Sequence, residues 1–375
     1  MAREKLINPF KPTAGAEPPV LVGRDKVLGD FSDGIAEGVG APGRLIRITG
    51  SRGSGKTVLL TELGDIARES GWGVIDETAS KGFCSRIAEA AAGERLVPGL
   101  EVDVHLGVLD VRSKGSSRES APSLRAALTE RADALGRQHR GLLITLDEVQ
   151  DASPSEMREL ATAVQHLIRE RIDVAFAFAG LTTGVLDLIN GEALTFLRRA
   201  LPEELAAIPV DEVACALRQS IEKSGLAITD AALAEAAQKT VGYAYLIQLI
   251  GYHVWRAGRA HVDDTPVIDE EDVSRGIEQA MGRFHDAVHE SAVSDLPLRA
   301  MEYLLAMTED EGVSATAAVA DRLGLPATSL TSYRRLLVQR QIIEPTARGF
   351  VAFSIPYTRE YLMQNRESLL ARYGR

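Results

Sequence analysis

Eight residues, Gly50-Ser51-Arg52-Gly53-Ser54-Gly55-Lys56-Thr57, spell G-x-x-x-x-G-K-T. No other stretch constrains the chain so tightly, because this spacing works only between a strand and a helix and only around a polyphosphate. The glycines let successive backbone N–H groups curl around a β-phosphate, Lys56 reaches the β and γ oxygens, and the Thr57 hydroxyl is a ligand for Mg²⁺. The flanks agree with this reading. Arg44-Leu45-Ile46-Arg47-Ile48-Thr49 alternates like a strand, and from Val58 onward apolar residues recur at 59, 60, 63, 66 and 67 as on a helix. The helix N-terminus then turns its unpaired N–H groups and positive dipole end towards the phosphates. Gly50 through Val58 are therefore the predicted nucleotide-binding segment.

A second site follows from Leu142-Leu143-Ile144-Thr145-Leu146-Asp147-Glu148, an apolar run that ends in two acids. A parallel strand buried on both faces reads as such a run, and ligands sit at its carboxyl end. Asp147 is then the residue expected to hold Mg²⁺, and Glu148 the one expected to polarise the water that attacks the γ-phosphate. The alternative is that both acids cap the next helix, together with Asp151 and Ser153 ahead of Pro154. The 91 positions from Lys56 to Asp147 leave room for a further strand and helix, so the two motifs can be neighbours in one sheet.

The chain has 375 residues, enough for two or three domains with an unaided core. Cys84 and Cys215 are far apart and outside any C-x-x-C, which excludes a disulfide framework or a zinc site and suits a reducing cytoplasm. Neither a leader-like apolar region nor a membrane span is evident, so a soluble cytoplasmic protein with no membrane partner is expected. The net charge of −11 argues against wholesale coating of nucleic acid. Its distribution is uneven: Ser294–Arg375 holds ten Arg, no Lys and nine acids.

Four regions are expected. Residues 1–19 form an extended, proline-rich segment packed along the main domain. Residues 20–210 form an α/β core with strands at 44–49, 73–76, 104–111, 142–147, 172–179 and 205–210, and a surface loop at 113–122. Residues 211–292 are helical, with segments at 211–225, 228–242, 243–257 and 270–291. Residues 293–375 give helices at 298–307, 314–323 with a serine cap, and 329–340, then two short strands around Arg348-Gly349. That is the order of a winged helix-turn-helix.

With Val22-Gly23-Arg24-Asp25, Gly50–Thr57, Leu146-Asp147-Glu148, Arg198-Arg199 and Gly242-Tyr243-Ala244-Tyr245-Leu246-Ile247-Gln248 in this order, nearly the whole chain resembles the AAA+ ATPases of the origin-initiator and STAND-related branch. The resemblance implies a P-loop NTPase (AAA+) parallel sheet core with a helical lid and a C-terminal winged-helix domain. It implies ATP or ADP with Mg²⁺ as ligands, which the absence of an Asn-Lys-x-Asp guanine motif also favours. Val22, Gly23 and Arg24 would line the base and ribose, or else form an ordinary strand-to-helix turn. Arg198 or Arg199 would be a finger reaching the γ-phosphate of a neighbouring subunit, hence a homo-oligomer, or else a solvated pair. The γ-phosphate sensor of the family would fall near Thr182 or Thr183, where its usual Asn is missing. The lid arginine of many relatives is replaced by tyrosine over 242–248, which implies slow hydrolysis and switch-like behaviour.

For the C-terminal domain two readings stay open. Ser329, Ser332, Arg335 and Gln339, with Arg334 at the flank and Arg348 at the wing, could meet double-stranded DNA, while Leu330, Tyr333, Leu336 and Leu337 face inward. In STAND-like proteins the same module packs on the ATPase or meets a protein partner instead. His285 and His289 read as two exposed histidines rather than a metal site. Trp255, Tyr252 and Tyr243 read as lid core.

Overall fold

The computed structural model describes residues 6–13, 18, 20–93, 123–190, 192–260 and 267–374, with side chains of 192–195 left aside. The strand expected over 104–111 and the loop over 113–122 lie outside the described residues. The chain divides into two compact units, one of Lys26–Thr49 and Leu59–Glu204, the other of Met1–Asp25, Gly50–Val58 and Leu205–Arg375.

Among the described residues the first unit is built on a five-stranded sheet of order β2-β3-β4-β1-β5: β1 Leu45–Gly50, β2 Gly73–Thr78, β3 Leu142–Asp147, β4 Val174–Gly180 and β5 Leu201–Leu205. β1 pairs with β4, β4 with β3 and β3 with β2, all parallel. The two motif strands are thus not adjacent, as β4 lies between them. β3 and β4 are buried at every residue, as inner parallel strands covered on both faces are. The helices of this part of the chain are α1 Asp25–Glu37, α2 Lys56–Glu69, α3 Phe83–Gly93, α4 Leu124–Gly136, α5 Pro154–Arg169 and α6 Thr182–Asn190. One core cluster joins β3 and β4 to the apolar stripe Met157, Leu160, Ala161, Val164 and Leu167 of α5. The last strand runs over 201–205 rather than 205–210. Leu201-Pro202-Glu203-Glu204-Leu205 alternates and tolerates its proline as an edge strand, whereas Pro209 caps the helix that follows.

The second unit carries α7 Val210–Lys223, α8 Asp230–Lys239, α9 Ala244–Arg259 and α10 Glu270–Phe284 around the buried Trp255, whose indole N–H donates to Ser224 Oγ at 2.6 Å. A small parallel pair, β6 Ala227–Ile228 and β7 Val267–Ile268, ties two of the connections together. Thr229 caps α8, accepting from Ala232 N–H. Asn8 and Phe10 of the N-terminal segment pack in this unit. Asn8 Nδ2 donates to the Tyr252 carbonyl at 3.0 Å, and the Phe10 ring fills a slot that exists only because residue 251 is glycine. Phe10 is 2 % exposed, and burying such a ring contributes about 2 kcal/mol.

After α10 a π-helical turn, His285–Glu290, leads through α11 Ser291–Val293 to α12 Leu298–Met307, β8 Val313–Ala315, α13 Thr316–Arg322, a 3-10 turn Ala327–Leu330 and α14 Thr331–Gln339. A hairpin, β9 Ile343–Ala347 and β10 Phe350–Phe353, closes on Gly349 at φ +85°, and α15 Thr358–Gln364 and α16 Arg366–Ala371 end the chain. The small sheet has order β8-β10-β9, antiparallel throughout. Ser314 is not a helix cap: it sits buried in β8 and its Oγ donates to Met307 O, so the helix starts at Thr316.

His285 and His289 are not the exposed pair expected. His289 is 1 % exposed, stacked on Tyr361 at 5.0 Å and packed edge-on to Phe284 at 4.7 Å. Among the described residues no group of three or more ligands could hold a metal. His289 Nε2 donates to the Pro356 carbonyl at 2.8 Å, so its Nδ1 is the acceptor of the 3.1 Å contact with His285 Nδ1, which must carry that proton. Burial pushes His289 down to about 4. The unfolded chain therefore binds more protons than the folded one between pH 6.5 and about 4, and stability falls as pH drops through that window. At pH 5 the expected loss relative to pH 7.5 is about 2 kcal/mol. Denaturant unfolding at the two pH values checks this, with His289→Gln, which keeps the donor and cannot titrate, showing less than half the wild-type loss.

Candidate nucleotide site

In the second unit the segment Gly50–Thr57 forms a closed loop between β1 and α2. Gly53 and Gly55 have φ of +74° and +95°, a region that costs a side chain dearly. Gly50 is equally fixed: a Cβ there would lie 2.6 Å from Ser54 Oγ. Lys56 is buried at the start of α2, and its ammonium donates to the carbonyls of Gly50 at 3.2 Å and Ser51 at 2.9 Å. Ser54 is also buried, and its hydroxyl finds no partner among the described residues. Thr57 is exposed in the first turn and Val58 half-buried. An orphaned hydroxyl, left-handed glycines and a buried ammonium at a helix N-terminus together suit an anionic ligand, so these residues fit a nucleotide's phosphates.

Val22, Gly23 and Arg24 approach the same loop. Arg24 is buried, not an exposed turn residue, and its Nη2 reaches Ser54 O at 3.4 Å. Gly23 has φ +67° and leaves only 3.1 Å to Glu212 Oε2 for any Cβ, while Val22 packs on the helical core.

Sequence reading gave Tyr243 to the lid core, and it packs there, edge-on to Phe284 at 5.9 Å. It also does something the reading missed. Its hydroxyl donates to the Arg52 carbonyl at 2.5 Å, and burial raises the phenol to about 12, so it stays a donor at neutral pH. A signal was present in the sequence: the pattern leaves position 53 unspecified, yet it is glycine. A Cβ there would meet the Tyr243 oxygen at 2.3 Å.

In the first unit Asp147 ends β3 and is buried, its Oδ1 accepting from the Glu148 N–H at 2.8 Å. Glu148 adopts a left-handed backbone, φ 53° and ψ 43°, which costs a non-glycine residue about 1–3 kcal/mol and recurs at functional sites. Neither acid caps the next helix. Ser153 does that, accepting from the Glu156 N–H. Gln150, which sequence reading passed over, holds the arrangement: its amide N–H donates to Glu148 Oε2 at 2.5 Å and its oxygen accepts from Leu181 N–H at 3.1 Å. Gly180 and Gly184 make room for it, since a Cβ on either would come within 2.8 Å of the Gln150 side chain. Thus an amide stands at the end of β4, where Thr182 and Thr183 instead open α6.

Arg198 and Arg199 differ. Arg198 donates from Nε to Ile189 O at 2.9 Å and from Nη2 to Asn190 O at 3.1 Å, satisfying the last carbonyls of α6. Arg199 is exposed and makes no hydrogen bond or ion pair among the described residues.

In the C-terminal segment Ser329, Ser332, Arg335, Gln339 and Arg348 are exposed, while Leu330 and Leu337 are buried. Arg334 is half-buried and lines a cavity of about 230 Å³ with Tyr303, Thr316, Thr328 and Thr331. Other arginines are spent on acids: Arg299 on Glu302, Arg322 on Asp310, Arg340 on Asp295 and Arg372 on Glu290. No helix among the described residues is long and apolar enough to cross a membrane.

Residues 20–176 match the family described as AAA ATPase domain, and residues 286–362 match a domain of unknown function (DUF8462). No curated protein matches the chain in sequence. Among solved structures it is similar to the Thermotoga maritima RuvB Holliday junction branch migration motor, with TM-score 0.50 and 16% identity over 91% of this chain and 95% of that one. The Aeropyrum pernix ORC1 protein, solved in complex with DNA, gives TM-score 0.50 and 16% identity over 95% of both chains. Cdc6p from Pyrobaculum aerophilum gives TM-score 0.50 and 15% identity over 97% and 98%. At such identities the likeness concerns the fold.

Replacing Gly53 by alanine should lower the affinity for a fluorescent ATP analogue at least tenfold, because the new Cβ meets both a left-handed φ and the Tyr243 hydroxyl. Fluorescence titration beside a circular-dichroism melt checks this, the fold being retained.

Proposed function

We propose that the protein, whose residues 20–176 match the AAA ATPase domain family and whose fold is similar to those of ORC1 and Cdc6p, binds ATP with Mg²⁺, hydrolyses it slowly, and uses its nucleotide state to control a C-terminal winged helix that contacts duplex DNA. The observation that carries the catalytic part is Glu148. A carboxylate at the end of a buried central strand, kept in a costly backbone conformation and oriented by Gln150, is placed for a task other than packing. β1 and β3 are parallel members of one sheet, and the chain runs from the end of β1 directly into the loop at Gly50.

In this reading the loop N–H groups, Ser54 and Lys56 hold the phosphates, and Val22, Gly23 and Arg24 flank the base and ribose. Thr57 and Asp147 hold Mg²⁺, which supplies charge neutralisation on the phosphate oxygens when bound. Glu148 accepts the proton of the attacking water, and Gln150 keeps its carboxylate in place. Arg199, exposed and without a partner among the described residues, suits a finger towards a neighbouring copy better than Arg198, whose donors serve α6. The tyrosines at 243 and 245, where the resemblance leads one to expect a lid arginine, support slow turnover. Ser329, Ser332, Arg335, Gln339 and Arg348 are the exposed set offered to DNA, with Arg334 beside them.

A second reading has its own support. Four arginines of the C-terminal segment, Arg299, Arg322, Arg340 and Arg372, are paired with acids, and Tyr357 and Tyr361 bind it to the lid, the Tyr357 hydroxyl donating to Lys239 O at 2.8 Å. A switch in which this segment meets the lid or a protein partner fits those contacts.

Glu148→Gln should cut ATP turnover by about 100-fold or more while nucleotide affinity stays within about threefold; unchanged turnover would remove Glu148 from the mechanism. Anisotropy with labelled duplex DNA across a salt series divides the readings. Salt-dependent binding that changes with nucleotide and weakens in Arg335→Ala/Arg348→Ala supports the DNA reading, and no binding at low salt in any state supports the switch.

A further inference from the structure

We propose that Tyr243 positions the phosphate loop and that a continuous column of rings carries the loop's state to the C-terminal segment, an inference that rests on the nucleotide binding proposed above. The starting point is the geometry of one peptide. In a planar trans unit the Arg52 carbonyl and the Gly53 N–H point in opposite directions. Tyr243 holds the carbonyl at 2.5 Å, so the Gly53 N–H is held facing away from the tyrosine. Glycine accepts both signs of φ, which lets this peptide turn over when nothing restrains it. A phosphate bound to the Gly53 N–H and a tyrosine bound to the Arg52 carbonyl favour the same orientation. Each therefore strengthens the other, and the coupling is reciprocal.

The tyrosine itself has little freedom to follow the loop alone. It precedes α9 directly after Gly242, whose φ is +70° and where a Cβ would lie 2.1 Å from Ile208 O. The Ile208 N–H also donates to Gly242 O at 2.9 Å. A change at Arg52 is therefore passed to the ring's neighbours. Phe284, fully buried at the end of α10, meets Tyr243 at 5.9 Å with planes inclined by 66°. His289 meets Phe284 at 4.7 Å and 83°, and Tyr361 of α15 stacks on His289 at 5.0 Å and 14°. His285 covers the same pair, 5.0 Å from His289 and 5.4 Å from Tyr361. Tyr361 then donates to Glu290 at 2.6 Å, and Glu290 pairs with Arg372 beyond α16 at 2.7 Å.

Two links of this column can adopt discrete alternatives. One is the Arg52–Gly53 peptide. The other is the π turn His285–Glu290, an uncommon register that can revert to α and would rotate His289 and Glu290 away from Tyr361. Packed rings do not deform continuously, so a shift at Tyr243 is passed on as a rearrangement.

Hydrogen–deuterium exchange of the full chain, without nucleotide and with saturating ATPγS and Mg²⁺, tests the inference. In the wild type, peptides over 284–293 and 355–372 should change exchange rate by about threefold or more on nucleotide binding. Tyr243→Phe keeps the ring and loses the hydroxyl. It should weaken nucleotide binding about fivefold, the worth of one hydrogen bond, and abolish the remote change even at saturation. Tyr361→Leu should bind nucleotide as the wild type does and lose the change over 355–372. A full remote response in Tyr243→Phe, or none in a wild type that binds nucleotide, overturns the column and leaves the nucleotide reading standing. A wild type that binds no nucleotide overturns both.

Discussion

The Lys56 ammonium folds back onto the carbonyls of Gly50 and Ser51 and keeps the phosphate loop closed in a shape that its own backbone would not choose. Gly53 and Gly55 are in the left-handed region, Ser54 is buried with its hydroxyl unmatched, and few internal bonds span the turn, the Ser54 N–H to Ser51 O contact at 3.3 Å being one. A buried cation can be held there only by oxygen acceptors. The carbonyls that satisfy it are the ones that must point towards Lys56 for the loop to curl. An incoming polyphosphate offers the same ammonium better acceptors, since its oxygens carry negative charge and the loop carbonyls do not. Around this constraint are arranged Arg24 on the Ser54 carbonyl and Tyr243 on the Arg52 carbonyl.

The acidic site stores its strain differently. Glu148 is a non-glycine residue in the left-handed region, and Gln150 keeps its side chain in place from a position backed by two glycines. Packing alone gives no reason for such an arrangement, since Val149 is already fully buried between them and Ser153 already caps α5. A preorganised carboxylate is what water activation requires, because reorganisation at the moment of reaction is avoided.

The loop residues, the acidic strand and the order of elements in the C-terminal segment were legible because each rests on local spacing. Leu298–Met307 was read to the residue, since its apolar stripe ends at both sides in turn signals. What escaped the sequence depends on tertiary partners. Nothing local says that β4 enters between β1 and β3, that Phe10 finds the slot at Gly251, or that His289 is buried between Phe284 and Tyr361. Spacing could not separate a lid tyrosine that only packs from one that packs and reaches a loop 191 positions away. The glycine at 53 carried that information, and its meaning appears only when Tyr243 is seen above it. The edge strand β5 was the other weak point: Leu201–Leu205 is short and holds a proline and two acids, a composition that reads as a connection.

A crystal structure of the protein with ATPγS and Mg²⁺ tests the account most directly, because it sees loop, metal and lid at once. The account predicts the β-phosphate within hydrogen-bond distance of the N–H groups of residues 53–57. It predicts Lys56 Nζ moved from the Gly50 and Ser51 carbonyls onto phosphate oxygens, and the Tyr243 hydroxyl still on the Arg52 carbonyl. A nucleotide bound elsewhere, or one bound with Lys56 left on its own loop, would contradict it.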